Sequence, residues 1–295
     1  MHKETLTLYE LNQMVRDALA ITMPDEYWVE AEISEMREVR GHCYMELVQK
    51  DVAGNTAKAS AKCWKNKWAF LRPHFERNAN QILRAGLKVR LLVYADFHEA
   101  YGFSWIVADI DPTYTLGDMA RKRLEIVRTL KQQGVFDLQK DFRLPLFAQR
   151  VAVISSEQAA GYGDFCRHLH DNEWNLHFSV QLFAATMQGE GVERSVIAAL
   201  DAINERLADF DVVVIIRGGG ATSDLSGFDS LPLAENVANF PLPIITGIGH
   251  DRDESVLDMV SFRRVKTPTA AAAFLVEHLA ETYQRVTDAQ EEMVH

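Results

Sequence analysis

Asp211-Val212-Val213-Val214-Ile215-Ile216-Arg217-Gly218-Gly219-Gly220 is the stretch on which the fold turns. Five β-branched residues follow Asp211 without a polar break. Such a run reads as a strand covered on both faces, the pattern of a parallel sheet. A tight turn needs only one or two glycines. Three of them let backbone N–H groups approach an anion closely, and Arg217 adds a permanently charged fork that suits phosphate oxygens. The spacing matches neither G-x-G-x-x-G nor G-x-x-x-x-G-K-[ST], which argues against a dinucleotide cofactor and against an NTPase.

Outward from this stretch, Val151–Ser155, His177–Ala184 and Leu242–Gly247 read as further strands. Helices are expected from near Asp164, over Gly191–Ala208, over Leu231–Asn239 and from about Asp253. That alternation predicts a mostly parallel α/β sheet with helices on both faces. Ligands then bind beyond the carboxyl ends of the strands. Three clusters fall there: Ser155-Ser156 with Asp164, Arg217 with Gly218, Gly219, Gly220 and Asp224, and Gly247 to Asp253. His250 is able to exchange a proton near neutral pH, and Asp253 stands at the spacing that lets it orient the ring within a first helical turn. Asp224, Asp251 and Asp258 are weaker candidates, since the helix dipole alone favours acids in a first turn. Thr267-Pro268 reads as an N-cap with proline at the first helical position. The helix it opens runs to the last residue without a stop signal, as expected of a chain cut inside a longer helical region.

The first half has a different period. A helix is expected over residues 5–19, then strands Tyr27–Ile33, Cys43–Val48, Ala57–Trp64, Lys88–Ala95 and Phe103–Asp111, most with apolar and polar residues alternating. A helix, Trp68–Leu83, falls between the third and fourth strands. That is the order of an OB-fold barrel, although another small β-barrel has the same spacing. Leu116–Gln133 reads as a basic amphipathic helix and 134–150 as a linker. The expected organisation is an OB-fold over 1–115, a basic helical connector over 116–150, an α/β catalytic domain over 151–280 and the start of a helical region over 281–295.

The 42 acidic and 31 basic residues sum to a charge of −11, which taken whole argues against a nucleic-acid binder. The distribution argues the other way. Residues 151–295 carry 22 acids and 9 bases, whereas Gly54–Arg90 carries nine bases against the single acid Glu76, with Trp64, Trp68, Phe70 and Phe75 interleaved. Cations and rings on a strand-rich surface suit single-stranded nucleic acid, so Lys58, Lys62, Trp64, Lys65, Lys67 and Arg90 are candidate contacts. The alternative is a solvated basic face whose aromatics are core. Three scattered cysteines fit a reducing, cytoplasmic setting. No apolar run is long enough to span a membrane, and no Cys/His zinc pattern or H-E-x-x-H occurs.

In order along the chain, Arg217–Gly220, Asp224-Leu225, Phe228-Asp229, Pro243-Ile244, Gly249-His250 with Asp253, and Thr267-Pro268-Thr269-Ala270-Ala271-Ala272 resemble the large subunit of exodeoxyribonuclease VII. Leu11-Asn12, Val29–Ile33, Gly41–Tyr44 and Gly134–Asp137 resemble its N-terminal patterns, so the resemblance covers residues 5–280. Departures stand at Ala159-Ala160 (a glycine-alanine pair in the family), Asp251, Arg252, Phe262 and Lys266. The resemblance implies hydrolysis of single-stranded DNA from both ends to oligonucleotides. It assigns catalysis to Asp164, Arg217, His250 and Asp253, and implies several copies of a small helical subunit bound to C-terminal helices. It implies no obligatory metal, although Asp164, Asp253 and Asp258 are carboxylates able to supply one Mg2+ site; Asp164 either activates water or positions that ion. The competing reading is a non-catalytic single-strand-binding scaffold with a degenerate site.

Overall fold

The computed structural model describes residues 5–50, 54, 56–79, 81–189, 191–218, 225–249 and 254–294. The chain divides into two units, Met1–Ala120 and Arg121–His295.

In the first unit, α1 (Leu8–Thr22) starts from a capping box. The Thr7 hydroxyl accepts from the Glu10 amide, and the Glu10 carboxylate accepts from the Thr7 amide at 2.8 Å. Strands β1 (Tyr27–Val39), β2 (His42–Lys50), β3 (Thr56–Cys63), β4 (Lys88–His98) and β5 (Gly102–Asp111) close a barrel in the order β1-β2-β3-β5-β4. Alternation does the sorting: Cys43, Met45 and Leu47 fill the interior of β2 while Tyr44, Glu46 and Val48 face outward. β1 runs six residues beyond the expected Ile33. The polar pair Ser34-Glu35 ends the alternation, yet the strand continues through a bulge there. The bend lets the first half of β1 pair with β4 and the second half with β2.

Helix α2 (Lys65–Ala79) plugs the barrel with Trp68, Leu71, Phe75 and Ala79, spaced as one helical face. Trp68 Nε1 donates to Glu38 Oε2 at 3.0 Å, so this ring is core and not a nucleic-acid contact. Helix α3 (Pro112–Gln132) begins four residues before the expected Leu116. Asp111 accepts the Thr113 amide at 2.9 Å and Pro112 opens the helix, an N-terminal signal embedded in the end of β5.

In the second unit, β6 (Arg150–Ser155), β7 (Ser179–Ala184), β8 (Val212–Ile216), β9 (Ile244–Gly247) and β10 (Arg263–Arg264) form a sheet of order β10-β9-β8-β6-β7, all pairs parallel. Helices α4 (Ala160–His170), α5 (Val192–Asn204), α6 (Leu231–Ala238), α7 (Val256–Val260) and α8 (Pro268–Val294) cover it. Every residue of β8 is buried: Val213 and Ile215 pack toward α5, α6 and α7, and Val212, Val214 and Ile216 toward α4 and α8. That double burial is why the run has no polar alternation. Asp211 anchors its start. Burial pushes the Asp211 carboxyl up, but hydrogen bonds and charge from Arg150 outweigh it and hold the group below its ordinary value.

Residues 134–150, read above as a linker, are packed structure. Val135 and Phe136 lie against the core, and buried Gln139 donates to Phe240 O at 2.8 Å and accepts from Ile244 N at 2.9 Å. The misreading arose because one buried glutamine, not an apolar period, ties the segment to the sheet. Among the described residues no helix is long and apolar enough to cross a membrane.

Candidate functional site

The chain order reverses between β6 and β8, which lie side by side while β7 flanks one and β9 the other. The carboxyl ends at such a switch point form the ligand crevice of open α/β sheets. Arg217 follows β8 directly, its amide donating to Gly247 O at 3.3 Å. It is only 7% exposed and lines a cavity of about 740 Å3 with Ser156, Gln158, Ala184, Thr186 and Gln188. The first turn of α4 presses against the same backbone. A Cβ on Gly161 would lie 2.8 Å from Pro268 Cγ and 3.1 Å from both Arg217 O and Gly218 Cα. A Cβ on Gly218 would lie 3.1 Å from Ala159 Cβ. These two glycines exist for close approach, and they bring the ends of β6 and β8 and the start of α8 into one neighbourhood.

Asp164 sits one turn beyond Gly161. Its half-exposed carboxylate accepts from Arg167 at 3.3 Å and lines a separate groove of about 420 Å3 between α4 and α8, with Thr269. Arg217 and Asp164 thus flank one helical turn and open into different clefts. Gly219, Gly220, Asp224, His250, Asp251, Arg252 and Asp253 lie outside the described residues. Asp258 caps α7, its Oδ2 accepting from the Ser255 amide at 3.1 Å and from the Ser255 hydroxyl at 2.9 Å. The carboxylate is buried, with this oxygen turned onto its own helix in a capping role. Among the described residues no group of three or more His, Cys, Asp or Glu side chains is placed to hold a metal ion.

Two features of this region are invisible to motif reading. The Asp229 side chain is largely buried, where Oδ2 accepts from Arg123 Nε at 2.5 Å and Oδ1 from the Val256 amide at 2.8 Å. It ties α3 to the start of α7, three residues after Asp253. Burial holds its carboxyl above the ordinary value in spite of Arg123. Gln158, Thr186 and Gln188 are the other omission. The strand-end rule, applied to β7 as it was to β6 and β8, points to the residues after Ala184.

On the barrel, the six candidate contacts separate. Lys62, Trp64, Lys65 and Lys67 gather at the junction of β3 with α2 and carry no ion pair among the described residues. Trp64 is 41% exposed and meets His42 edge-to-face at 5.3 Å, while the His42 ring accepts the Lys65 amide at 3.1 Å. Arg40 and Gly41 turn the β1–β2 hairpin with φ of 52° and 83°, and the Lys65 stem crosses Gly41 where a Cβ would stand. Arg37 lies over the Tyr44 ring at 5.6 Å. Lys58, by contrast, is ion-paired to Glu46 at 2.6 Å. Arg90 is held by Glu30 and Asp111 at 3.2 and 3.4 Å and stacks on Tyr114. Both therefore have their charge engaged within the barrel.

The family model described as "Exonuclease VII, large subunit" matches residues 135–295, and "OB-fold nucleic acid binding domain" matches residues 6–111. The exodeoxyribonuclease 7 large subunit of Deinococcus radiodurans is 38% identical over 296 residues, 97% of this chain and 71% of that protein. The chain belongs to the exonuclease VII large subunit family. The exodeoxyribonuclease 7 large subunit of Ralstonia nicotianae is 32% identical over 83% of this chain and 52% of its own length. The one from Thiobacillus denitrificans is 32% identical over 96% and 59%. The chain therefore spans between about half and seven-tenths of these relatives. Within the exonuclease VII frame, the departure at Ala159-Ala160 has a local resolution: Ala159 meets Gly218, and Gly161 supplies the close approach. Phe262 packs against the apolar cluster between the sheet, α4 and α8.

Proposed function

We propose that this chain is the DNA-cleaving subunit of an exonuclease VII, hydrolysing single-stranded DNA from both ends to oligonucleotides. In this reading residues 1–115 grip the strand, the basic helix within 116–150 connects while 134–150 pack on the sheet, 151–280 cleave and 281–295 begin the helical region on which several copies of a small helical subunit dock. The observation that carries it is Arg217, buried beside a cavity at the switch point of a parallel sheet, in a chain whose barrel gathers lysines around an exposed tryptophan.

Arg217 and the amides of Gly218, Gly219 and Gly220 hold the scissile phosphate and stabilise its developing charge. Water adds to phosphorus, the bridging P–O bond breaks, and His250 passes a proton to the leaving oxygen, with Asp253 orienting the ring. Asp164 serves the attacking water. The test compares single- and double-stranded DNA, with and without EDTA, using this chain alone and together with a small helical subunit. Preferential cleavage of single strands that persists in EDTA is expected. Loss of all cleavage in EDTA would assign Asp164 to a Mg2+ ion, and no cleavage in any arm would leave only a binding scaffold.

The lysines allow a second test with opposite signs. Lys65 and Lys67 stand in the first turn of α2, which contains no acid. Cations there oppose the helix dipole, by about 0.3–1 kcal/mol each. A phosphate at the same helix start is favoured by both charge and dipole. The double variant Lys65→Glu, Lys67→Glu should therefore melt slightly higher while binding single strands more weakly. The slope of log affinity on log salt should fall by roughly 0.7 for each lost phosphate contact. Unchanged affinity with raised stability would remove this patch from the DNA path.

A further inference from the structure

Two clefts open on either side of the first turn of α4, and they differ in charge. The Arg217 cavity has no aspartate or glutamate among its described lining residues. The groove between α4 and α8, continued past exposed Trp174, is lined by Asp164, Asp171, Glu173, Glu277 and Glu281 with Arg167 as its one permanent cation among the described residues. In a stretch with 22 acids against 9 bases, a cleft lined without carboxylates is a distinct electrostatic choice. A polyanionic strand held at Arg217 is repelled from the length of the groove beyond Asp164, where Asp171, Glu173, Glu277 and Glu281 follow, and admitted by the cavity.

We propose that the single strand runs from Arg217 across the ends of β6 and β7, with the nucleotide beside the scissile phosphate seated between Gln158 and Gln188. The assignment rests on the reading of Arg217 as the ligand of that phosphate. The lining chemistry suits a nucleotide. The two amides each offer donors and an acceptor to a base edge, and the Ser156 and Thr186 hydroxyls do the same on a smaller scale. Ala184 leaves the floor open, and the Thr186 amide donates to Ser195 Oγ at 2.8 Å, which fixes the far wall. At about 740 Å3 the cavity falls within the ordinary size of small-ligand sites, roughly 300–1,000 Å3.

The experiment is photo-cross-linking of the full chain with an oligonucleotide carrying 4-thiothymidine, followed by peptide mapping. Adducts within 156–160 and 184–188 are expected. Adducts confined to 168–174 or 273–284, or none beyond the barrel, would overturn the path. In the assembled enzyme, Gln158→Glu with Gln188→Glu should lower kcat/KM at least about ten-fold through like-charge repulsion. Single-strand affinity of the barrel should stay within about two-fold, since the barrel lysines that carry it are untouched. Glu173→Lys with Glu281→Lys should leave cleavage near the parent rate. Equal cleavage by the Gln158→Glu, Gln188→Glu enzyme would sink the subsite while leaving the nuclease reading intact. A chain that cross-links in the cavity and never cleaves would do the reverse.

Discussion

Arg217→Ala is expected to lower kcat for single-strand cleavage by about 10²–10³, the cost of deleting one preorganised charge-stabilising donor. Binding should hardly change, because the barrel lysines proposed to meet the strand are in the other unit of the chain. Arg217→Lys should restore little, since a point charge cannot reproduce the planar fork across two phosphate oxygens. The arginine is surrounded by the ends of β8 and β9 and the first turn of α4, so thermal melting must accompany the kinetics. A variant that melts like the parent and has lost cleavage places the defect in chemistry. Cleavage within about ten-fold of the parent would remove Arg217 from the reacting centre, where deletion of one donor costs more than that. His250→Ala belongs in the same series, with a loss of about 10²–10⁴ expected for a proton-transferring residue.

How much of this was legible in the sequence depended on whether one residue's environment was local. The run Val212–Ile216 announced a doubly covered strand because burial on both faces leaves nothing polar to interrupt it. Cys43, Met45 and Leu47 announced the barrel by alternation. Reading failed where long-range partners decide. Nothing near Gln139 says that its amide will bind the Phe240 carbonyl, so a packed segment passed for a linker. Trp64 and Trp68 are both tryptophans in a basic stretch, and only the barrel interior separates the exposed ring from the core one. The charge engagement of Lys58 and Arg90 came from Glu46, Glu30 and Asp111 on neighbouring strands, which composition cannot pair. The same holds for the candidate site. Strand ends located Arg217 correctly at the crevice, but Asp164 and Arg217 open into different clefts because a whole helical turn stands between them.

That turn supplies the second large effect, through two glycines two residues apart in α4. Gly161→Ala places a methyl 2.8 Å from Pro268 Cγ and 3.1 Å from two backbone atoms of Arg217 and Gly218. The proline ring has little freedom and the backbone atoms have none, so the helix must move away from the β8 end. Overpacking of this kind costs about 1–3 kcal/mol. Displacement of a catalytic constellation by about 1 Å can cost roughly 10²-fold in rate. Gly161→Ala should therefore lose about that much kcat, melt lower and keep the barrel's single-strand affinity. Gly163→Ala is the internal control: a Cβ there meets nothing within 4 Å. It should gain about 0.4–1 kcal/mol from a less flexible unfolded chain and retain full activity. If both variants behaved alike, either the approach of α4 to Arg217 would not matter for cleavage or the defect would come from the helix as a whole. Opposite signs from two identical substitutions in one helix would tie the chemistry to the contact between Gly161 and the β8 end.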